Sequence, residues 1–260
     1  MADSTISDLT AVTDLQATDD YVLMRSGVTK RITGEDLASE ILALAPPASG
    51  TDDPIDRQFG TPTTAFEFDT STSGLTTLGS PDTIDSDTTV PGHLFLRDND
   101  TTTVGAYTTP PSYPFTAIAR VKQNIHSTNA GAGVYIAEAS PGVLEFIGPF
   151  NSPTGGQGTW LIAHIRYSNP TTYGGVSSSY TVGQRDPIYV AIRANSASDI
   201  DFLYSFDGHL WNKMVDSRNP SITVGQVGVF QTVADATDTS SAFEFLRIWN
   251  SALTMPGVSA

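Results

Sequence analysis

The chain has 260 residues, no cysteine, a formal charge of −15, and 39% apolar against 16% charged residues. Without cysteine there is no disulfide framework and no Cys-ligated zinc or iron–sulfur centre. The 13 basic residues are scattered, so no cationic stripe exists to neutralise a phosphate backbone, and nucleic acid is excluded as a partner.

Abundant Thr, Ser, Gly and Pro suit short strands and turns better than helices, so a mostly β protein is expected. The length accommodates one large β domain plus a small extra module. Met1 to Asp20 carries acids and neither a basic residue nor an apolar run, the reverse of a secretory signal. No stretch approaches the ~18–20 apolar residues that span a bilayer, so membrane insertion is not expected.

In chain order, the first predicted element is a hairpin, Tyr21–Arg25 and Val28–Ile32 around Ser26-Gly27. Thr33 then stands as an N-cap, Glu35 and Asp36 fall in a first turn, and Leu37, Ile41 and Leu44 recur at i, i+4, i+7. This predicts a short amphipathic helix ended by Pro46-Pro47. Residues 1–45 are therefore read as a small module with too little apolar surface to stand alone, which folds against copies of itself or a partner. A hairpin packed on the main domain is the alternative. Residues 46–62, with Ala-Ser-Gly, Asp-Asp-Pro and Gly-Thr-Pro steps, read as a linker.

Residues 63–260 form the main domain. Ten β runs are predicted: Ala65–Phe68, His93–Arg97, Thr116–Lys122, Gly133–Ala137, Leu144–Ile147, Thr159–Tyr167, Ile188–Ala194, Asp201–Ser205, Gly225–Gln231 and Ala242–Ile248. Phe115, Ala117, Ala119 and Val121 share one parity, and Ile188, Val190 and Ile192 do likewise, as in strands with one buried face. This spacing implies two packed antiparallel sheets. Asp69–Thr77 and Thr101–Thr103 are read as loops. No fixed-period repeat is visible, which disfavours a propeller, a β-helix or a collagen-like stalk.

Two stretches carry family resemblances. The run Ile6–Ala11, Thr18–Leu23, Gly27–Thr33 and Asp36-Leu37 resembles a short module at the start of phage tail-fibre, tailspike and head-fibre proteins. Phe115–Val121, Ala130–Ile136, Leu144–Phe146, Ile188–Arg193, Tyr204–Trp211, Val227–Phe230 and Phe243–Ile248 together resemble the concanavalin A-like lectin/glucanase superfamily. Within them, Ser205-Phe206-Asp207-Gly208-His209-Leu210-Trp211 implies a tight hairpin whose Trp packs back over the turn. The second resemblance implies an antiparallel jelly-roll β-sandwich behind the hairpin-helix module. It implies no activity, because one scaffold hosts many functions.

A retaining glycosidase needs two carboxylates about 5–5.5 Å apart. The glucanase branch of the superfamily carries them as Glu-x-Asp-x-(x)-Glu, whereas this chain offers isolated Glu138, Glu145 and Glu244. No Gly-x-Ser-x-Gly elbow occurs, and His93, His126, His164 and His209 share no metal-ligand spacing. No catalytic residue is therefore expected, and the chain is read as non-enzymatic. Asp98, Asn99 and Asp100 cluster oxygen donors in a turn, which leaves calcium as the one cofactor open. Sugar recognition stacks an aromatic face on a pyranose while polar groups take its hydroxyls. The candidates are Tyr107, Tyr113, Trp160, Tyr167, Tyr173 and Tyr180, with the Asn169–Tyr180 segment as an adaptable recognition loop. Trp211 and Trp249 are assigned to structure.

The leading expectation is a phage virion appendage, a tail or head fibre, displaying a lectin-like sandwich that adheres to host-surface glycans by avidity. The phage resemblance implies docking onto other virion proteins of the tail, neck or capsid. The docking candidates are Leu9, Leu15, Tyr21, Leu23, Val28, Ile32, Leu37 and Ile41, and a homotrimer is the state expected of a fibre. A free-standing carbohydrate-binding protein is the alternative, and a divergent glycoside hydrolase the third reading.

Overall fold

The computed structural model describes residues 20–25, 28–33, 53–68, 74–86, 88–98, 103–124, 130–140, 142–151, 160–169, 172–181, 188–232 and 239–258. The chain divides into two compact units, Met1–Arg57 and Gln58–Ala260.

In the first unit, β1 (Asp20–Arg25) and β2 (Val28–Thr33) pair antiparallel, with Tyr21 opposite Ile32, Leu23 opposite Lys30 and Arg25 opposite Val28. This is the hairpin anticipated around Ser26-Gly27. The predicted helix after Thr33 and the docking candidates Leu9, Leu15, Leu37 and Ile41 lie outside the described residues. One segment differs from its irregular reading: Pro54–Phe59, inside the predicted linker, is a helix, α1. Asp53 explains it. Its carboxylate accepts the Ile55 N–H at 2.8 Å, an N-cap, while Pro54 takes the first helical position, where a missing N–H costs nothing.

The strands of the second unit are β3 (Thr64–Glu67), β4 (Thr76–Leu78), β5 (Thr83–Ser86), β6 (Leu94–Asp98), β7 (Thr103–Thr108), β8 (Phe115–Asn124), β9 (Ala130–Glu138) and β10 (Leu144–Asn151). After them come β11 (Trp160–Asn169), β12 (Thr172–Thr181), β13 (Ile188–Ser196), β14 (Asp199–Ser205), β15 (Asn212–Arg218), β16 (Val224–Thr232) and β17 (Thr239–Trp249). One sheet runs β12-β11-β10-β9-β16-β7-β4 and the other β15-β14-β13-β8-β17-β6-β5, with β3 beside the second half of β17. The unit is thus the expected antiparallel sandwich of two sheets.

All ten predicted strands are present. Five more were not foreseen: β4, β5, β7, β12 and β15. Thr76, Thr77 and Thr103 are strand residues where loops were expected. Their Thr-rich sequences look like loops in isolation, but their backbone groups complete the ladders β4–β7 and β7–β16.

The layer between the sheets holds the apolar parity read from sequence. Phe115, Ala117, Ala119, Val121, Val190 and Ile192 from one sheet meet Val134, Ile136, Ile147, Ile162, Val227 and Val229 from the other, all fully buried or nearly so. The Ser205–Trp211 hairpin is also as anticipated. Asp207 Oδ1 accepts the N–H groups of His209 (2.8 Å) and Leu210 (2.9 Å) and the Ser205 hydroxyl (2.9 Å), and Gly208 takes the positive φ of 75° that the turn requires. Trp211, however, does more than cover its own turn. Its backbone N–H reaches the Pro256 carbonyl at 2.9 Å, its indole N–H reaches Gln58 at 3.3 Å, and Phe59 wedges 6.3 Å from it and 6.2 Å from Trp249. Two remote segments, Gln58-Phe59 at the indole and Pro256 at the backbone, meet at this one residue. Trp211→Ala is expected to cost ~3–5 kcal/mol of unfolding free energy, read as a lower urea midpoint.

Candidate functional site

A two-sheet sandwich needs one apolar face per sheet, yet the seven-stranded sheet has two. Its outer face carries a second buried cluster: Tyr135 and Ala137 from β9, Leu144, Phe146 and Phe150 from β10, Leu161, Ala163, Ile165 and Tyr167 from β11, and Phe230 from β16. Phe146 meets Phe230 edge-on at 4.3 Å, Tyr135 lies 5.7 Å from Phe230, and Phe146 lies 6.3 Å from Tyr167. The rings lie over small residues. A Cβ on Gly131 would meet the Phe150 ring at 2.7 Å and the Phe146 ring at 3.3 Å, so glycine there lets the aromatics settle onto the sheet.

At the margin of this layer the face opens. Across the sheet, Thr76, Tyr107, Gly228 and Tyr135 fall on one row. Thr76 is exposed, Tyr107 half-buried and Tyr135 fully buried. The Tyr135 hydroxyl donates to Gln226 Oε1 at 3.3 Å, and the Gln226 amide donates to the Ala139 carbonyl at 3.4 Å. Burial raises the Tyr135 phenol well above its ordinary value, and the neighbouring Tyr107 adds to the effect. Tyr135 therefore stays a neutral hydroxyl donor. A half-open ring beside an exposed hydroxyl, backed by a buried phenol–amide pair and with no charged side chain among these residues, suits a neutral polyol.

Of the sugar-binding candidates, this face brings together Tyr107 and Tyr167. Tyr167 is closed off, 5% exposed, with its hydroxyl 2.8 Å from Thr232 Oγ1. Tyr113 belongs elsewhere: it stacks on Phe115 at 5.6 Å and packs against the layer between the sheets. Trp160, Tyr173 and Tyr180 take register positions opposite Asn151, Tyr167 and Ile162, and their side chains lie outside the described residues. The expected recognition loop is largely a strand. Thr172–Thr181 pairs with β11 through irregularities at which Ser177 and Gly174 have no opposite residue, which is how so Gly- and Ser-rich a sequence joins a sheet. Tyr135 and Gln226 were missed. The signal for the former was present: Gly133–Ala137 is apolar at both parities, as in a strand buried on both faces.

The isolated acids all have partners. Glu244 pairs with Arg120 at 2.5 Å and Glu138 accepts the Val143 N–H at 3.1 Å. Glu145 is fully buried on the inner face of β10, where Oε1 receives Arg166 (2.6 Å) and Arg218 (3.1 Å) and Oε2 receives His164 (3.0 Å). Arg218 comes from β15, so this cluster clasps the edge of one sheet to the middle of the other. Of the calcium candidates only Asp98 is among the described residues. Asp98 is fully buried in the last position of β6, while Asn99 and Asp100 lie outside the described residues. Among the described residues no three His, Asp or Glu side chains gather as a metal site.

No family model matches the sequence, nor does any curated protein. Solved structures do share the fold. The GH43 protein BlXynB from Bacillus licheniformis superposes with a TM-score of 0.57 at 15% identity, over 72% of this chain and 39% of its own. A xylan β-1,4-xylosidase from Bacillus halodurans C-125 gives 0.57 at 15%, over 71% and 38%. A protein of unknown function from Saccharomyces cerevisiae gives 0.53 at 16%, over 72% of this chain and 99% of its own. The chain thus spans about two fifths of the length of the two Bacillus proteins. These likenesses concern the fold, but they correct one expectation. Glycoside hydrolases stand among the proteins that share this architecture, so the reading of the chain as non-enzymatic is withdrawn.

The Glu145 clasp has a pH signature. Burial acts to raise its pKa, but hydrogen bonds from His164 and Arg218, with their charges, outweigh it and bring it from 4.5 to about 2. A depressed carboxylate pKa stabilises the fold above the unfolded value, so the contribution is complete above pH 4.5 and is lost as pH falls towards 2. It is on the order of 3 kcal/mol. Urea titrations from pH 6 to 2 should show this loss in the wild type and a flatter profile in Glu145→Gln, from a lower starting stability.

Proposed function

We propose that the second unit binds a neutral polysaccharide at the open margin of the seven-stranded sheet, with Tyr107 as the stacking platform, Thr76 supplying a polar contact beside it, and the buried Tyr135–Gln226 pair holding the row in place behind them. The observation that carries this reading is the row from exposed Thr76 through half-buried Tyr107 to the buried Tyr135–Gln226 pair. The absence of charge from these residues favours neutral over acidic sugars, and the fold shared with a xylan β-1,4-xylosidase makes xylan a reasonable first probe. Rigid aromatic and amide groups on strands are already placed for binding and lose little entropy.

Isothermal titration against soluble xylan, with a polyuronate as the acidic comparison, tests it. Tyr107→Ala should weaken xylan binding roughly tenfold or more, as loss of one stacked ring does, with an unchanged melting temperature. Polyuronate binding that exceeds xylan binding would defeat the neutral-sugar reading, as would a Tyr107→Ala protein with wild-type affinity. Reducing ends released during the titration would reveal hydrolysis by the same unit.

A second reading concerns placement. The β1–β2 hairpin belongs to a compact unit of its own, in keeping with a module that docks the sandwich onto a larger particle such as a phage appendage. Deleting residues 1–47 should then leave a folded sandwich that no longer incorporates into particles. A truncated protein that aggregates would speak against a separable docking module.

A further inference from the structure

Where β15, the edge of the eight-stranded sheet, meets β11, two guanidinium groups from opposite sheets share one carboxylate. Arg166 Nη1 lies 2.6 Å and Arg218 Nη2 3.1 Å from Glu145 Oε1, so the two heads are held within two hydrogen-bond lengths of each other. Glu145 is fully buried, whereas the Arg166 and Arg218 side chains are 31% and 34% exposed. The carboxylate anchors both heads from beneath and leaves their far sides to solvent. Two guanidiniums against one carboxylate carry a surplus positive charge, on a chain whose formal charge is −15. The backbone around Arg218 is also unusual. Ser217 just before it and Ser221 shortly after it, at φ 48° and 55°, are the only non-glycine residues at positive φ among the described residues. Such strain persists only where the surroundings enforce it, and it gathers at functional sites.

The two heads use their donors differently. Arg166 gives Nη1 to the protein, to Glu145 Oε1 and to the Pro220 carbonyl at 2.9 Å, and its Nε–Nη2 edge meets no partner among the described residues. Arg218 is turned the other way. Its Nε and Nη2 form a fork on Glu145 at 3.3 and 3.1 Å, and Nη1 is left over. A free Nε–Nη2 edge grips two oxygens of an oxyanion at once, and a head already fixed by Glu145 loses little entropy in doing so. A planar carboxylate is used up by that fork, whereas a tetrahedral oxyanion keeps further oxygens for Arg218 Nη1. We propose that Arg166 and Arg218 bind one tetrahedral oxyanion, of the phosphate or sulfate class, at the mouth between the sheets, with Glu145 as the positioning residue. The acidic chain as a whole repels an extended polyanion, so the ligand is a single group, either a free ion or one carried on a small molecule. The site stands independently of sugar binding, because Glu145 lies between the sheets and Tyr107 packs on the outer face of the same sheet.

The test titrates the full chain calorimetrically with inorganic phosphate at constant ionic strength, with sulfate, acetate and a hexose phosphate in parallel. Phosphate should saturate a single site and bind roughly tenfold or more tighter than acetate. A hexose phosphate that binds tighter still assigns the site to a phosphorylated sugar, and equal affinity assigns it to the free ion. Arg166→Lys keeps the charge beside Glu145 but has no fork, so it should weaken phosphate binding roughly tenfold or more while melting within a few degrees of the wild type in phosphate-free buffer. Tyr107→Ala should bind phosphate as the wild type does. No saturable heat with phosphate or sulfate, or acetate bound as tightly as either, would overturn the site, and this comparison on the wild type holds even if Arg166→Lys folds poorly. A folded Arg166→Lys protein with wild-type phosphate affinity would overturn it in favour of diffuse attraction to surface cations.

Discussion

The fold depends on one layer of apolar side chains shared by two antiparallel sheets. Each strand contributes every second residue to it, so Phe115 to Val121 and Ile188 to Ile192 from one side interdigitate with Val134, Ile147 and Val229 from the other. Parity does the rest. Once those residues face inward, the intervening ones must face outward, and their character decides what each outer surface becomes.

The two outer surfaces differ sharply. On the eight-stranded sheet the outward positions form ion pairs, Arg193 with Asp201 and Arg247 with Glu67, and the guanidinium groups of Arg120 and Arg247 lie over Tyr189 and Phe245. On the seven-stranded sheet they are aromatic and glycine, a second buried layer with an open margin at Tyr107. The asymmetry gives function a place. A charged face hydrates well and recognises little without charge complementarity, whereas an uncharged aromatic margin with an amide behind it suits a sugar.

Polar groups inside the sandwich sit at its ends. Glu145, with His164, Arg166 and Arg218, joins β10 and β11 to β15, while Gln231 joins β16 to β17 through Thr239. Both ties cross between sheets, where apolar contact alone would allow sliding. Such pairs add little net stability over an apolar replacement, but a missing partner is costly, so they select one alignment of the sheets over others.

The sequence by itself determined which residues face the shared layer, because strand alternation is a local property written in every second residue. It also determined the N-terminal hairpin and the Ser205–Trp211 turn, whose Gly and Asp requirements are local. It could not show that Thr76 and Thr103 lie in strands, since their ladders depend on partners found elsewhere in the chain. Nor could it show that Tyr107 shares a row with Tyr135, or that Glu145 meets Arg218 from 73 residues away. Those adjacencies follow from the order of strands in the sheets, which long-range pairing sets. The tertiary structure alone decided which tyrosine stands at an open edge and which carboxylates are buried, because exposure and charge pairing depend on neighbours that the chain supplies only after it has closed.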